Sequence, residues 1–275
     1  RQGYGLSRAM YHTASSSLVA DLVPPESRVA AFAVLRFAIN LGFGLGMACA
    51  GFLAEISFLW LFVIDSASSI IYGILTVTLL PAGEKTQKSQ SGWGVALPVL
   101  LRDKHLLLLV LNTLVMATVF HQWHASFPLH LKNEGYREAQ YGLVMSLNGL
   151  LIILLELPLS ALARRFRPVS VIALGSFVSA LGFAISGWQV GILCWMMSMF
   201  VFTLGEMIAM PVQGAYVSDL APREMRGRYN GVMGISWSLA TILGPMVGVS
   251  LIQFGFQTVC WASISVAAIT ATLLF

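Results

Sequence analysis

Nine long apolar runs restrict this chain more than any single motif does. They lie at about 3–20, 29–54, 58–80, 105–130, 139–163, 169–188, 190–217, 227–253 and 256–275, with short polar turns between most of them. Roughly 17–25 mostly apolar residues is what an α-helix needs to cross about 30 Å of hydrocarbon. Spanning strands are excluded, since they are shorter and alternate apolar with polar residues. Apolar residues make up 57% of the chain and charged residues 10%, against roughly 45–50% and about 25% in soluble domains. A water-soluble fold would expose much of that surplus. The expected class is an all-α integral membrane protein of nine transmembrane helices, with the lipid bilayer as its first partner. A net charge of +4 is too small and too dispersed to suggest nucleic acid. Cys49, Cys194 and Cys260 lie far apart within apolar runs, which suggests neither a disulfide framework nor a cysteine metal site.

An internal duplication sets the architecture. Asp21-Leu22-Val23-Pro24-Pro25-Glu26-Ser27-Arg28 recurs as Asp219-Leu220-Ala221-Pro222-Arg223-Glu224-Met225-Arg226, at an offset of 198 residues. Val34 with Val232 and Gly46 with Gly244 extend the likeness. So long a period fits a duplicated half-protein better than a solenoid. In an apolar chain it suggests the parallel repeat of a two-bundle transporter. The helix near 105 then implies a partner upstream of Arg1, about 90 residues away, which is enough for three helices. The chain is expected to hold helices 4–12 of a twelve-helix protein. Residues 1–80 would end an N-terminal six-helix bundle, 81–104 would form a cytoplasmic connector, and 105–275 a C-terminal six-helix bundle.

Alternate loops differ in charge. One set carries Arg28; Lys85, Lys88, Arg102 and Lys104; Arg164, Arg165 and Arg167; and Arg223, Arg226 and Arg228. The other carries only Lys132 and Arg137. The positive-inside bias places the repeated turns in the cytoplasm and 131–138 outside.

Charges within the runs are functional candidates, because each costs at least about 2.5–3.5 kcal/mol at mid-bilayer on insertion scales. Glu206 lies near the middle of its run, close to Thr203, Gly205 and Pro211. An acid taken out of water favours its neutral form, so such a residue can hold a proton in one access state and release it in the other. A fixed partner for an arginine is the alternative. Asp65 reads either way. Glu156 sits late in its run, just before the helix-bending Pro158, and reads as structural or gating. Arg8 and Arg36 keep their charge and must find acids, carbonyls or water. The offset maps Arg8 onto Glu206, so a pair across a central cavity is expected, with snorkelling of Arg8 as the alternative.

His121, Gln122 and His124 form a polar patch. Histidines at i and i+3 share a helix face and titrate near neutral pH, which makes them coupling or cavity candidates. No third ligand is near, so no metal is expected. Asp21, Arg28, Asp219 and Arg226 mark the gating turns. Glycines at 42, 44, 46 and 51, and at 231, 234, 244 and 248, suggest close helix approach. No nucleotide-binding glycine loop or nucleophile–base pair appears. Neither an enzyme nor an ATP-driven pump is therefore expected, and no cofactor is required beyond an ion gradient.

Taken together, these features resemble the major facilitator superfamily, and most closely its bacterial members of the drug–proton antiporter type. The residues that carry the resemblance are Ala20-Asp21-Leu22-Val23-Pro24-Pro25, Asn40-Leu41-Gly42, Trp60 through Asp65, Tyr141-Gly142-Leu143, Gly205-Glu206 with Pro211, and Gly227-Arg228-Tyr229. Two departures stand out. The G-x-x-x-G-P-x-x-G-G antiporter signature reads Gly42 through Gly51 with Met47 in place of proline, the proline appearing instead at Gly244-Pro245. The G-x-L-A-D-R-x-G-R loop reads Ser160 through Arg167 with Arg164 in place of the acid. The resemblance implies secondary active transport of a small-molecule substrate by alternating access. Proton-coupled export of amphipathic or drug-like solutes is the leading expectation, by a monomer in a bacterial inner membrane. The alternatives are symport of a sugar, peptide or organic anion, and a non-transporting receptor with a transporter fold.

Overall fold

The computed structural model describes residues 15–19, 21–79, 93–188 and 191–274, and every regular element among them is helical. From Arg28 onward the order is α1 (Arg28–Ile56), α2 (Phe58–Leu79), α3 (Trp93–Arg102), α4 (Lys104–Gln122), α5 (Ser126–Asn133), α6 (Glu138–Ala163), α7 (Pro168–Ile185), α8 (Gly191–Leu220), α9 (Arg226–Ile252) and α10 (Phe256–Leu274). Six stretches are long and apolar enough to span a membrane: Phe62–Leu79, Lys104–Asn133, Gln140–Ala163, Pro168–Trp188, Gly191–Leu220 and Arg223–Ser250. The 29 residues of α1 and the 19 of α10 are also of spanning length. Most of the run expected at 3–20 lies outside the described residues.

The ends of the helices have local causes. Asp103 caps α4 by accepting from the Leu106 amide at 3.1 Å. Pro168 opens α7 at the position where a missing backbone donor costs nothing. Gly135, at φ +80°, closes α5: its own amide reaches Lys132 O at 3.1 Å, and that of Tyr136 reaches Leu131 O at 3.0 Å. This is a Schellman stop, whose left-handed position favours a residue without a β-carbon.

One expectation needs correction. The run at about 105–130 is not one helix, because α4 ends at Gln122 and α5 resumes at Ser126 after a turn at 123–125. Trp123 is fully buried there, edge-on to Phe127 at 4.7 Å, and the turn accommodates that packing. Within the expected connector at 81–104 the structure adds a helix. That helix is α3, which buries Ala96 and Leu100, while 81–92 lie outside the described residues.

Packing is closest between α7 and α8. A β-carbon on Gly182 would lie 2.1 Å from the Phe202 amide nitrogen, and one on Gly205 would lie 2.3 Å from that of Ser179. Hydrogen alone fits, so the backbones touch, and Ser198 and Ser179 bond across the seam to the carbonyls of Gly182 and Phe202. A second seam joins α4 to α9, where Gly248 leaves room for Gln122. One core cluster, with Trp123, Phe127, Phe183, Trp195 and Phe256, fills one end of the bundle. Another, with Leu100, Leu106, Ile172, Val217 and Tyr229, fills the end that carries the repeated turns. α1 packs on α6 and α8, and α2 packs on α1. Large apolar side chains such as Phe62 and Val77 of α2 face outward, an arrangement that hydrocarbon permits and water penalises.

Candidate functional site

Arg36 lies about 12 Å along α1 from its turn end, at 1.5 Å per residue. Two acids from two other helices converge on it. Its Nε donates to Oε1 of Glu156 on α6 at 3.0 Å, and its Nη2 donates to Oε1 of Glu206 on α8 at 3.3 Å. Its Nη1 donates to the Met210 sulfur. A planar guanidinium with five donors in a fixed fork can serve two acids and a sulfur at once. Asn148 of α6 donates to Oε2 of Glu206 at 2.9 Å and reaches the Thr203 hydroxyl at 2.9 Å. Thr203 in turn donates to Met199 O. The side chain of Glu156 is 0% exposed, that of Glu206 8% and that of Arg36 17%. One fixed positive charge thus faces two acids in a nearly dry place.

A cavity of about 30 Å³ adjoins this cluster, lined by Glu206, Asn112, Thr113, Ser176, Ser179 and Gln213 together with Phe120, Phe202 and Trp237. That volume suits a water-sized occupant. Aromatic rings extend from it along α4 and α9. Phe120 lies 5.7 Å from Trp237, 5.7 Å from His121 and 5.2 Å from His124. His121 Nε2 is 3.1 Å from the Thr241 hydroxyl.

At the turn end the two copies of the repeat bind each other. Arg28 pairs with Asp219, and Arg226 pairs with Asp21. Each arginine is largely buried and each aspartate is partly exposed. Residue i of one copy meets residue j of the other, and j meets i, which is the signature of a two-fold relation.

The sequence profile of the Major Facilitator Superfamily matches residues 3–206 and 124–275, nearly the whole chain. The chain belongs to the major facilitator superfamily. An uncharacterised superfamily transporter of Bacillus subtilis (strain 168), YqjV, is 25% identical over 89% of this chain and 61% of its own length. A Na(+), Li(+), K(+)/H(+) antiporter of Planococcus maritimus is 24% identical over 92% of the chain and 66% of its own length. The quinolone resistance protein NorA of Staphylococcus aureus (strain MSSA476) is 23% identical over 96% and 68%. The chain therefore spans about three fifths to two thirds of the length of these relatives.

Two solved superfamily structures share the fold. The human organic anion transporter MFSD10 has a TM-score of 0.76 at 19% identity, over 96% of this chain and 67% of that one. A bacterial homologue of the iron transporter ferroportin, in an outward-facing state, has 0.73 at 18%, over 98% and 69%. The chain is a multi-pass membrane protein of a transporter family and not an enzyme.

Within the superfamily fold, the candidates named from sequence sort into separate places. Arg36, Glu156 and Glu206 come together. Arg8 lies outside the described residues, and Arg36 is the arginine that Glu206 meets. Gln122 is buried in the α4–α9 seam. Its Nε2 donates to Thr118 O and Gly244 O, and its Oε1 accepts from Ser126, so packing employs its polar atoms. His121 and His124 flank the cavity on its aromatic side. Asp65 is exposed on α2, away from the cluster. Sequence reasoning noted Thr203 only as a neighbour of Glu206 along the chain, and it missed Asn148 and Met210 as partners of Glu206 and Arg36. An isolated amide or thioether carries no signal until a fold brings it beside a charge.

Proposed function

We propose that this chain forms the greater part of a secondary active exporter that exchanges amphipathic or drug-like solutes for protons. The observation that carries this reading is the cluster of Arg36, Glu156 and Glu206. It ties α1, of the first repeat, to α6 and α8, of the second bundle, with one more acid than base. A dry surplus of negative charge is costly, and a mobile proton relieves it in one access state and leaves it in the other. The aromatic wall of Phe120, Phe202 and Trp237 beside Glu206 suits an amphipathic solute with a positive end. The reciprocal pairs at the repeated turns would close the cytoplasmic side. Proteins named for quinolone resistance and for antiport stand among the relatives.

The working unit in this reading is a monomer in a bacterial cytoplasmic membrane, with 1–80 and 105–275 in opposite bundles and no cofactor but the gradient. Symport of an organic anion is less favoured, because two acids already occupy Arg36. A second reading is exchange of alkali cations for protons, which the water-sized polar cavity against Glu206 favours. The test uses the full-length protein in liposomes under an imposed pH gradient. Extrusion of a cationic amphipathic dye, abolished by a protonophore, is the expected result. Flux of potassium or sodium in its place selects the second reading, and flux of neither refutes coupled export.

A further inference from the structure

We infer that the exchangeable proton of this site rests on Oε2 of Glu156, and that Glu206 is the standing anion of Arg36. The inference builds on the proton-coupled reading above. Arg36 cannot shed its charge, so the two acids around it are electrically balanced when one of them is neutral. The hydrogen bonds distinguish the two. Both oxygens of Glu206 accept: Oε1 from Arg36 and Oε2 from the Asn148 amide. Acceptance at both oxygens is what an ionised carboxylate offers. Glu156 accepts at Oε1 alone, and its Oε2 is buried with no partner among the described residues. Withholding a donor from a charged oxygen is costlier than leaving a hydroxyl without an acceptor. The proton therefore belongs on that oxygen.

Its surroundings agree. The charged groups facing Glu156 are Arg36 of α1 and Glu206 of α8. The charge of Glu206 also reaches His124, in the turn after α4. His130 and Lys132 of α5, and Glu134 after it, lie toward the opposite end of α6, about 27 Å away along the helix from Glu138 to Glu156. Glu156 is wholly buried and α1 covers it, so protonation and release require α1 to move relative to α6. On release the Oε2–H bond breaks, the proton passes to water on the open side, and the carboxylate left behind is held by Arg36.

Infrared difference spectroscopy on the full-length protein in lipid tests the assignment directly. The carbonyl stretch of a protonated carboxylic acid should disappear on raising the pH. At the pH where the parent shows it, the band should be absent from Glu156→Gln and retained in Glu206→Asp, which keeps the standing anion beside Arg36. A band that survives in Glu156→Gln, or is unmoved by Glu156→Asp and shifted by Glu206→Asp, overturns the assignment. If Glu156→Gln does not fold, the two aspartate variants still decide, since each keeps a carboxyl group and only the one that holds the proton shifts the band. In transport, Glu156→Gln should keep solute exchange and lose at least about tenfold in pH-driven flux, and unchanged pH-driven flux refutes the exchangeable role. Absence of pH-driven flux in the unmodified protein sinks the coupled-export reading by itself, while the infrared band still reports which acid holds the proton.

Discussion

Replacing Arg36 by glutamine removes every donor that the two acids share and leaves Glu206 as an unpaired anion. Because the Glu206 side chain is 8% exposed and that of Glu156 is 0% exposed, solvent does little to soften the loss. Removing one partner of a buried pair costs roughly 3–5 kcal/mol. The lower end applies here, because segments unfolded within a bilayer find other polar partners. At about 2–4 °C per kcal/mol for chains of this order of size, about 3 kcal/mol lowers the melting temperature by roughly 6–12 °C.

Adding Glu206→Gln to the Arg36 variant should restore most of the stability, whereas adding Glu156→Gln should restore little, since Glu156 is already neutral. Thermal melting followed by size-exclusion chromatography of the full-length protein, at about pH 8, compares the three variants with the parent. An Arg36→Gln protein that melts like the parent at about pH 8 refutes this account of the cluster, as does rescue by Glu156→Gln in preference to Glu206→Gln.

Three further outcomes are expected. Gly182→Ala should lower the yield of monodisperse protein, at a cost of about 1–3 kcal/mol or more, because its methyl group meets the Phe202 backbone. Gly42→Ala, which meets nothing within 4 Å, should be neutral in the same chromatography. Asp21→Asn with Asp219→Asn leaves each buried arginine a neutral acceptor and should speed labelling from the cytoplasmic side of a single cysteine at Met116, a position that lines the cavity. Unchanged labelling would remove the pairs from the gate. Single cysteines at Ser27 and Met225 should resist an impermeant thiol reagent applied outside while one at Asn133 reacts, and the reverse pattern would invert the topology.

Helices were legible because apolar length is written along the chain. The ends of α6 to α9 lie close to the expected ones, and the departures at 123–125 and in α3 are places where tertiary packing outweighs local polarity. The close approaches were harder to find. Glycine enrichment drew attention to 42–51 and 231–248, and Gly244 and Gly248 do face close neighbours. Their nearest neighbours are side chains, whereas the closest approaches to the backbone of another helix fall at Gly175, Gly182 and Gly205, ordinary isolated glycines. Glu206 and Arg36 stood out as charges in apolar runs, but the offset pointed to Arg8 as the partner of Glu206. A repeat identifies equivalent positions, and equivalence is not contact. Glu156 read as structural because it lies near a helix end and a proline. Only the approach of α1 shows that it shares an arginine with Glu206.

Reciprocity at the repeated turns bears on how such a chain arises. Each bond of that lock joins the aspartate of one copy to the arginine of the other. A single unfused half, facing an identical half across a two-fold axis, would make both bonds from its one aspartate and one arginine. The lock therefore needs no divergence between the halves, and gene duplication with fusion carries it over intact. The charge cluster has no such ancestry. The position equivalent to Arg36 is Gly234, and the one equivalent to Glu206 is Arg8. Closure can be inherited from a symmetric ancestor, whereas the centre that handles charge had to be written into one half at a time.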